Sequence, residues 1–341
     1  MRIGLVGYGD GGRYFHAPFI AAASKVELVG IVARSPEKIA AIEQDFPGTP
    51  IFDSLTSMIK AGNLDAVTIS TPPDTRRDLV LEALEAGLHV VSDKPFAPNA
   101  EVAKSLLDQA KAKGLVLCAF HNRRFDTDLR TIQKVLDSGK LGKLWRMHAR
   151  LEYDAPHTLE PGPKGGLLRD LGSHLVDQAV YLMGPVESVY AHIDEVELPE
   201  GPTNASFVLT LQHTSGVTSY LAASKLNHVE MKEFLIYGDL GSLHSQMTDV
   251  QAQAVFAGQR PVDDPTHWGY EVKERWPILK TAAGDEVIPS EQGAYFDYYQ
   301  QFADAVTLGK EPPVKGDEVI QVLKVLDAAV ISAKEKRIVM I

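Results

Sequence analysis

Residues 1–12 read MRIGLVGYGDGG, a short apolar run that goes straight into three glycines, Gly7, Gly9 and Gly12, spaced G-x-G-x-x-G. The run before them has strand character, and a helical pattern follows them. In that context each glycine has a task. Gly7 permits a tight turn, Gly9 lets the backbone approach a pyrophosphate, and Gly12 lets a helix pack closely on the strand. The helix start then offers N–H donors and the positive end of its dipole to phosphate oxygens. The loop residues Gly7, Tyr8, Gly9, Asp10 and Gly12 are therefore the first candidate cofactor contacts.

Working outward, the first 120 residues alternate β-rich runs with helical patterns. RIGLV (2–6), VELVGIV (26–32), LDAVTIS (64–70), LHVVSD (88–93) and LVLCAF (115–120) read as strands. Stretches such as RRDLVLEALEAG and NAEVAKSLLDQAKAKG between them space their apolar residues as helices do and end in glycine. This alternation predicts a parallel, doubly wound sheet covered on both faces. After about residue 140 the pattern changes: SFVLTLQH (206–213), VTSYLAA and FLIYGDLGSL read as strands of an antiparallel sheet. Helices are expected from about Gly166 to Met183, near 292–308 and over 316–335. The expected fold is thus α/β, a Rossmann dinucleotide-binding domain over 1–121 and an α+β domain with a largely antiparallel open sheet over 122–341. The closing helices are candidates to pack back on the first domain.

The chain has 341 residues and a formal net charge of −11, which disfavours nucleic acid and anionic membrane as partners. Its single cysteine, Cys118, lies in the apolar run LVLCAF and cannot form an internal disulfide. No apolar stretch reaches 18 residues, and the N-terminus lacks a signal-peptide layout, so a cytoplasmic protein is expected. One face of the second domain's sheet lacks an obvious helical cover, which predicts a symmetric homodimer, or a homotetramer built from dimers.

The end of the second strand bears on the choice of dinucleotide. An NAD site usually carries an acid there for the ribose 2′-hydroxyl. This chain reads IVARSPEK, with Arg34 and Ser35 in that region. Arg34 can pair with a 2′-phosphate and Ser35 can hydrogen-bond it, even while Ser35 caps the helix that begins at Pro36. NADP is expected as the preferred cofactor, with NAD as the alternative.

Two more strand ends carry polar residues, STPPD (70–74) and SDKPF (92–96). Lys94 precedes Pro95, which restricts its backbone. Further on, GGLLRDLGSHLVDQ (165–178) places Asp170, His174 and Asp177 on one face of a Leu- and Val-rich helix. A structural network, a metal site and acid–base machinery all compete for that face. The chain has no H-E-x-x-H and no cysteine cluster, so no metal is expected; a histidine one turn from a carboxylate suits proton transfer.

Taken in order, GYGDGG, DKP (93–95) and DLGSH (170–174) resemble the glycine loop, the E-K-P strand end and the D-x-G-x-H helix of the Gfo/Idh/MocA oxidoreductases. The resemblance covers the whole chain. Finer features, GYGDGGRYFHAPFI, HNRRFDTD (121–128) and SAKEKRIVM, look most like the subgroup of NADP-dependent scyllo-inositol dehydrogenases. The resemblance implies a polyol or cyclic-sugar substrate and a catalytic set of Lys94, Asp170 and His174. It also implies that Thr71 and Pro72 flank the cofactor, that Asp93, Lys94 and Asn122 contact it, that Asn122 with Arg123 or Arg124 sits near its nicotinamide end, and that Arg124, Tyr153 and Trp268 are candidate substrate contacts. Two positions depart from the family pattern: Asp93 replaces the usual Glu, and Arg76 stands where many members have histidine. A dehydrogenase of another sugar and a non-catalytic NADP-sensing regulator remain as alternative readings.

Overall fold

The computed structural model describes residues 1–161 and 166–341. Gly165, the first residue of the GGLLRD motif, lies outside the described residues. Contacts divide the chain into two compact units, and both are discontinuous where the sequence suggested a single boundary near residue 121. Unit 1 combines residues 1–125, 251–268 and 294–319, and unit 2 combines 126–250, 269–293 and 320–341.

Unit 1 is built on six strands, β1 (Arg2–Val6), β2 (Glu27–Val32), β3 (Ile51–Phe52), β4 (Ala66–Ile69), β5 (His89–Ser92) and β6 (Leu117–Ala119). All pair in parallel, in the order β3-β2-β1-β4-β5-β6. The winding reverses between β1 and β4, which opens a crevice at the carboxyl ends of those strands. Ile3, Leu5, Ile31, Val67, Ile69, Val90 and Val91 are fully buried, as strands covered on both faces require. The connecting helices are α1 (Ala17–Ala22), α2 (Pro36–Asp45), α3 (Leu55–Ala61), α4 (Pro73–Glu85) and α5 (Ala100–Ala112). A π-helical turn over Gly11–His16 leads into α1. The starts of these helices follow local chemistry. Ser35 accepts from Lys38 N at α2, Asn99 accepts from Val102 N at α5, and Pro occupies the first turn of α2 and α4.

Unit 2 opens with α6 (Thr127–Asp137), β7 (Leu144–Asp154) and α7 (Leu167–Met183). The strands β8 (Val186–Leu198), β9 (Gly201–His213), β10 (Thr218–Ser224), β11 (Leu226–Gly238), β12 (Gly241–Ser245), β13 (Ile278–Thr281), β14 (Gly284–Val287) and β15 (Val339–Met340) join β7. Their order is β14-β13-β12-β11-β7-β10-β9-β8-β15, antiparallel throughout except for β7 beside β10. One face carries the buried Met147, Ala149, Leu151, Phe207, Leu209, Leu221 and Phe234. α7 packs there, and so does the final helix α10 (Gly316–Glu335). A Cβ on Gly172 would lie 3.4 Å from Phe207 and 3.5 Å from Leu326 of α10, so α7 approaches both closely. On the other face the register aligns Tyr190, Thr210, Tyr220, His148, Leu235, His244 and Ile278 in one row across seven strands. Tyr190 is 45% and Tyr220 36% exposed, and His148 stacks on Tyr220 at 4.8 Å. The face that the sequence left without a helical cover is thus a half-exposed aromatic surface.

Two later segments return to unit 1, carrying α8 (Val250–Phe256) and α9 (Phe296–Leu308). Gln251 fastens them: its amide donates to Phe125 O, and its carbonyl accepts from Tyr295 N and the Trp268 indole. No helix among the described residues is long and apolar enough to cross a membrane.

Candidate active site

The glycine loop has the tight turn at Gly7 and the close packing at Gly12 that its spacing requires. Gly7 adopts φ +103°, and a Cβ there would sit 2.4 Å from the Ser70 carbonyl oxygen. A Cβ on Gly12 would meet the Gly7 carbonyl oxygen at 2.1 Å, so only glycine lets the helix start against the turn. Around Gly9 nothing lies within 4 Å of a Cβ position, which leaves backbone open to an incoming group. The first turn beyond it presents N–H groups that have no carbonyl partner inside the helix. An open cradle of backbone donors fits a dinucleotide's phosphates. Tyr8 contributes only backbone there. Its ring is 2% exposed in the core with Leu5, Ile31 and Ile42, and its hydroxyl donates to Asp45 at 2.9 Å. Burial, with that carboxylate beside it, pushes the Tyr8 hydroxyl above its usual pKa, so it stays protonated.

Asp10 is exposed beside the loop, and Arg34 is exposed just past the end of β2. Ser35 follows as the cap of α2, at 3.4 Å from Lys38 N.

The strand ends of β4 and β5 form a denser network. Asp93 accepts from the Ser70 hydroxyl at 2.9 Å and from Lys94 N at 2.7 Å. Its carboxylate also lies 3.3 Å from Nε2 of the fully buried His16, whose Nδ1 is 2.6 Å from the Tyr299 hydroxyl. Burial opposes the charge on Asp93, but His16, Arg76 and Lys94 together outweigh it and hold the carboxyl well below the usual range. Asp93 is therefore committed inward, to the protein's own groups. Arg76, 7% exposed, donates from Nε to Thr71 O at 2.7 Å and from Nη1 to the carbonyls of Asp93 and Pro95 at 3.0 and 2.9 Å. The Lys94–Pro95 peptide between those carbonyls is cis. Thr71 and Pro72 follow β4 at the crevice, with Thr71 partly exposed and Pro72 exposed.

In unit 2, α7 carries Asp170, His174 and Asp177 on one face as their spacing predicts; His174 is 6% and Asp177 1% exposed. Asp170 is ion-paired at 2.9 Å to Lys225, at the end of β10, and Lys225 also donates to Thr158 O at 2.9 Å. Both side chains are largely buried, 17% and 10% exposed. Sequence reasoning missed Lys225, because AASK at a strand end carries no local signal. Tyr153, near the end of β7, is half-buried.

Three other expected contacts are buried. Trp268 is a core residue of unit 1, 7% exposed, edge-on to Phe19 at 5.9 Å and bonded to Gln251. The indole expected at the substrate pocket thus packs in unit 1 and donates its N–H to Gln251. Arg124 has its guanidinium buried in an ion pair with Glu318 at 2.7 Å. Asn122 is 6% exposed in a single 3₁₀ turn over Asn122–Phe125. The end of the HNRRFDTD motif is structural too. Asp126 and Asp128 flank Lys232 at 2.9 and 3.0 Å, and burial raises the Asp128 carboxyl to about 6. No cluster of three or more His, Cys, Asp or Glu that could hold a metal ion occurs among the described residues.

Residues 1–121 match the model of an oxidoreductase family with an NAD-binding Rossmann fold, and residues 129–244 match the GFO/IDH/MocA C-terminal domain. The chain belongs to the Gfo/Idh/MocA family of oxidoreductases. Within that family it is 30% identical to scyllo-inositol 2-dehydrogenase (NADP(+)) IolW of Bacillus subtilis, covering 100% of this chain and 96% of the relative. It is 25% identical to inositol 2-dehydrogenase of Rhizobium meliloti, covering 99% of this chain and 98% of that one. The solved structure of yvaA from Bacillus subtilis, in its triclinic form, superposes with a TM-score of 0.90 at 30% identity over the whole of both chains. The protein is accordingly an NAD(P)-dependent dehydrogenase acting on CH–OH groups, in a family whose members include sugar and inositol dehydrogenases.

Proposed function

We propose that this dehydrogenase oxidises a secondary hydroxyl of a polyol or cyclic sugar to a ketone, reversibly, with scyllo-inositol as substrate and NADP as preferred cofactor. The observation that carries this reading is the Lys225–Asp170 ion pair one helical turn from His174, a charged acceptor and a titratable ring on one face of α7. The full-length likeness to an NADP-linked inositol dehydrogenase points the same way. A bound nicotinamide supplies the hydride acceptor. His174 takes the hydroxyl proton, and the Lys94 ammonium donates to the same oxygen and stabilises the developing alkoxide. Asp170, kept in place by Lys225, orients a substrate hydroxyl or the His174 ring. A screen of inositols and aldoses with NADP and NAD, followed by absorbance of the reduced nicotinamide, tests the reading. Nucleotide binding without turnover of any polyol would overturn it in favour of a sensor.

Cofactor preference rests on Arg34. The protein should favour NADP over NAD, and Arg34→Asp should shift the preference toward NAD. A charge-assisted bond to a 2′-phosphate contributes about 1.5–3 kcal/mol, roughly 10- to 150-fold in relative affinity. A wild type that prefers NAD tenfold or more on the order of that scale would remove Arg34 from cofactor selection.

The aromatic row Tyr190–Ile278 supports pairing of two copies through their open sheet faces, as a homodimer or a tetramer of dimers. Light scattering at micromolar protein should show no monomer as the main species; a purely monomeric solution would refute the pairing.

A further inference from the structure

We propose that Arg76 positions Lys94, by fastening the backbone on both sides of it. The inference rests on the reading above, in which the Lys94 ammonium acts on the substrate oxygen. One guanidinium nitrogen, Nη1, holds the carbonyl before Lys94 and the carbonyl after Pro95, at 3.0 and 2.9 Å. The peptide that enters Lys94 is held at both ends, its carbonyl by Arg76 and its N–H by the Asp93 carboxylate at 2.7 Å. Nε of the same side chain donates to Thr71 O at 2.7 Å, so one residue in the first turn of α4 ties the ends of β4 and β5 together.

The chemistry of the arginine explains why this residue type is there. The planar fork presents several donors in fixed directions, and here Nε and Nη1 go to backbone carbonyls. Lysine would keep the charge but could not span three carbonyls in this geometry. The Lys94 side chain is long and flexible, so the Cα is the part the fold can fix. A displacement of about 1 Å in a reacting group costs on the order of a hundredfold in rate. Arg76 is thus a positioning residue that reaches the reaction through Lys94, and the departure from the family's usual histidine has a structural task in this chain.

The test compares the wild type with Arg76→Ala and Arg76→Lys by two measurements. The first is turnover per folded molecule at saturating dinucleotide, with and without added guanidinium ion. The second is the rate at which an amine-reactive reagent modifies Lys94, read peptide by peptide in a mass spectrometer against the other lysines. Arg76→Ala should lose about a hundredfold in kcat. Guanidinium should restore part of that loss, and modification of Lys94 should change selectively. Arg76→Lys, which preserves volume and charge, decides the matter should the alanine variant fail to fold; it should show the same selective change and no rescue. Wild-type kcat together with unchanged Lys94 reactivity in a folded variant would overturn the proposal, as would a loss of activity with unchanged Lys94 reactivity and no rescue. Failure of the dehydrogenase reading is separate. Lys94→Ala would then turn over normally, or the wild type not at all, while the modification rate would still report whether Arg76 holds Lys94.

Discussion

His174→Ala should lower turnover by roughly 10²–10⁴-fold, the range for loss of a positioned proton acceptor, while dinucleotide binding stays near the wild-type value. The two effects separate because they belong to different units. The glycine loop and Arg34 lie in unit 1, and His174 lies on α7 of unit 2. A structural role for the same ring makes the opposite forecast. His174 is 6% exposed among Leu171, Leu175 and Val176, so a side chain that only completed a buried network would cost stability, with normal activity in the folded fraction. Turnover per folded molecule, with the melting temperature recorded beside it, decides between them. A folded, dinucleotide-binding variant with near wild-type turnover would remove His174 from the chemistry and leave Lys94 as the base.

The glycine loop yields the second large effect, and a contrast within it. Gly9→Ala should leave the melting temperature unchanged, because its new methyl meets nothing within 4 Å and needs no left-handed backbone. Dinucleotide binding should nevertheless weaken by about 3 kcal/mol, roughly a hundredfold, since the methyl occupies the approach of the phosphates and breaks charge-assisted bonds. Gly12→Ala should do both kinds of damage. Its methyl would lie 2.1 Å from the Gly7 carbonyl oxygen, so helix and turn must part, at a cost of about 1–3 kcal/mol in stability besides the lost binding. Thermal melts and fluorescence titration with NADP and NAD read the two quantities. Unweakened binding by Gly9→Ala would show that the phosphates do not approach that backbone.

What was legible in the chain was mostly local. The glycine loop could be read because its demands are backbone demands, and only one residue type meets them at Gly7 and Gly12. The long periodic helices and the alternating strands of the second half were equally plain. β3 was not, because Ile51–Phe52 is too short to show a period. The helix near 292–308 could be seen, but nothing within it said that Tyr295 and Tyr299 close the first unit. Burial of a side chain was not legible in its identity. Trp268 and Arg124 are residue types that often meet ligands, yet one is packing and the other a buried ion pair. Lys225 and the inward turn of Asp93 depend on which strands become neighbours, which no local window contains. Arg76 was visible only as a departure from a pattern, and its direction came from the fold.

The interleaving of the two units bears on how the molecule is made. Synthesis delivers the glycine loop, Lys94 and all six strands of unit 1 first, but His16 receives its Tyr299 partner from 283 residues further on. The nascent first unit therefore leaves the ribosome with an unsealed flank at the Asp93 end of its crevice. That flank closes only when the segment 294–319 has emerged, after most of unit 2 has already been made. The His16–Tyr299 contact behind Asp93 is thus among the last parts of the protein to be completed, and no truncation at the end of the glycine-loop domain can reproduce it.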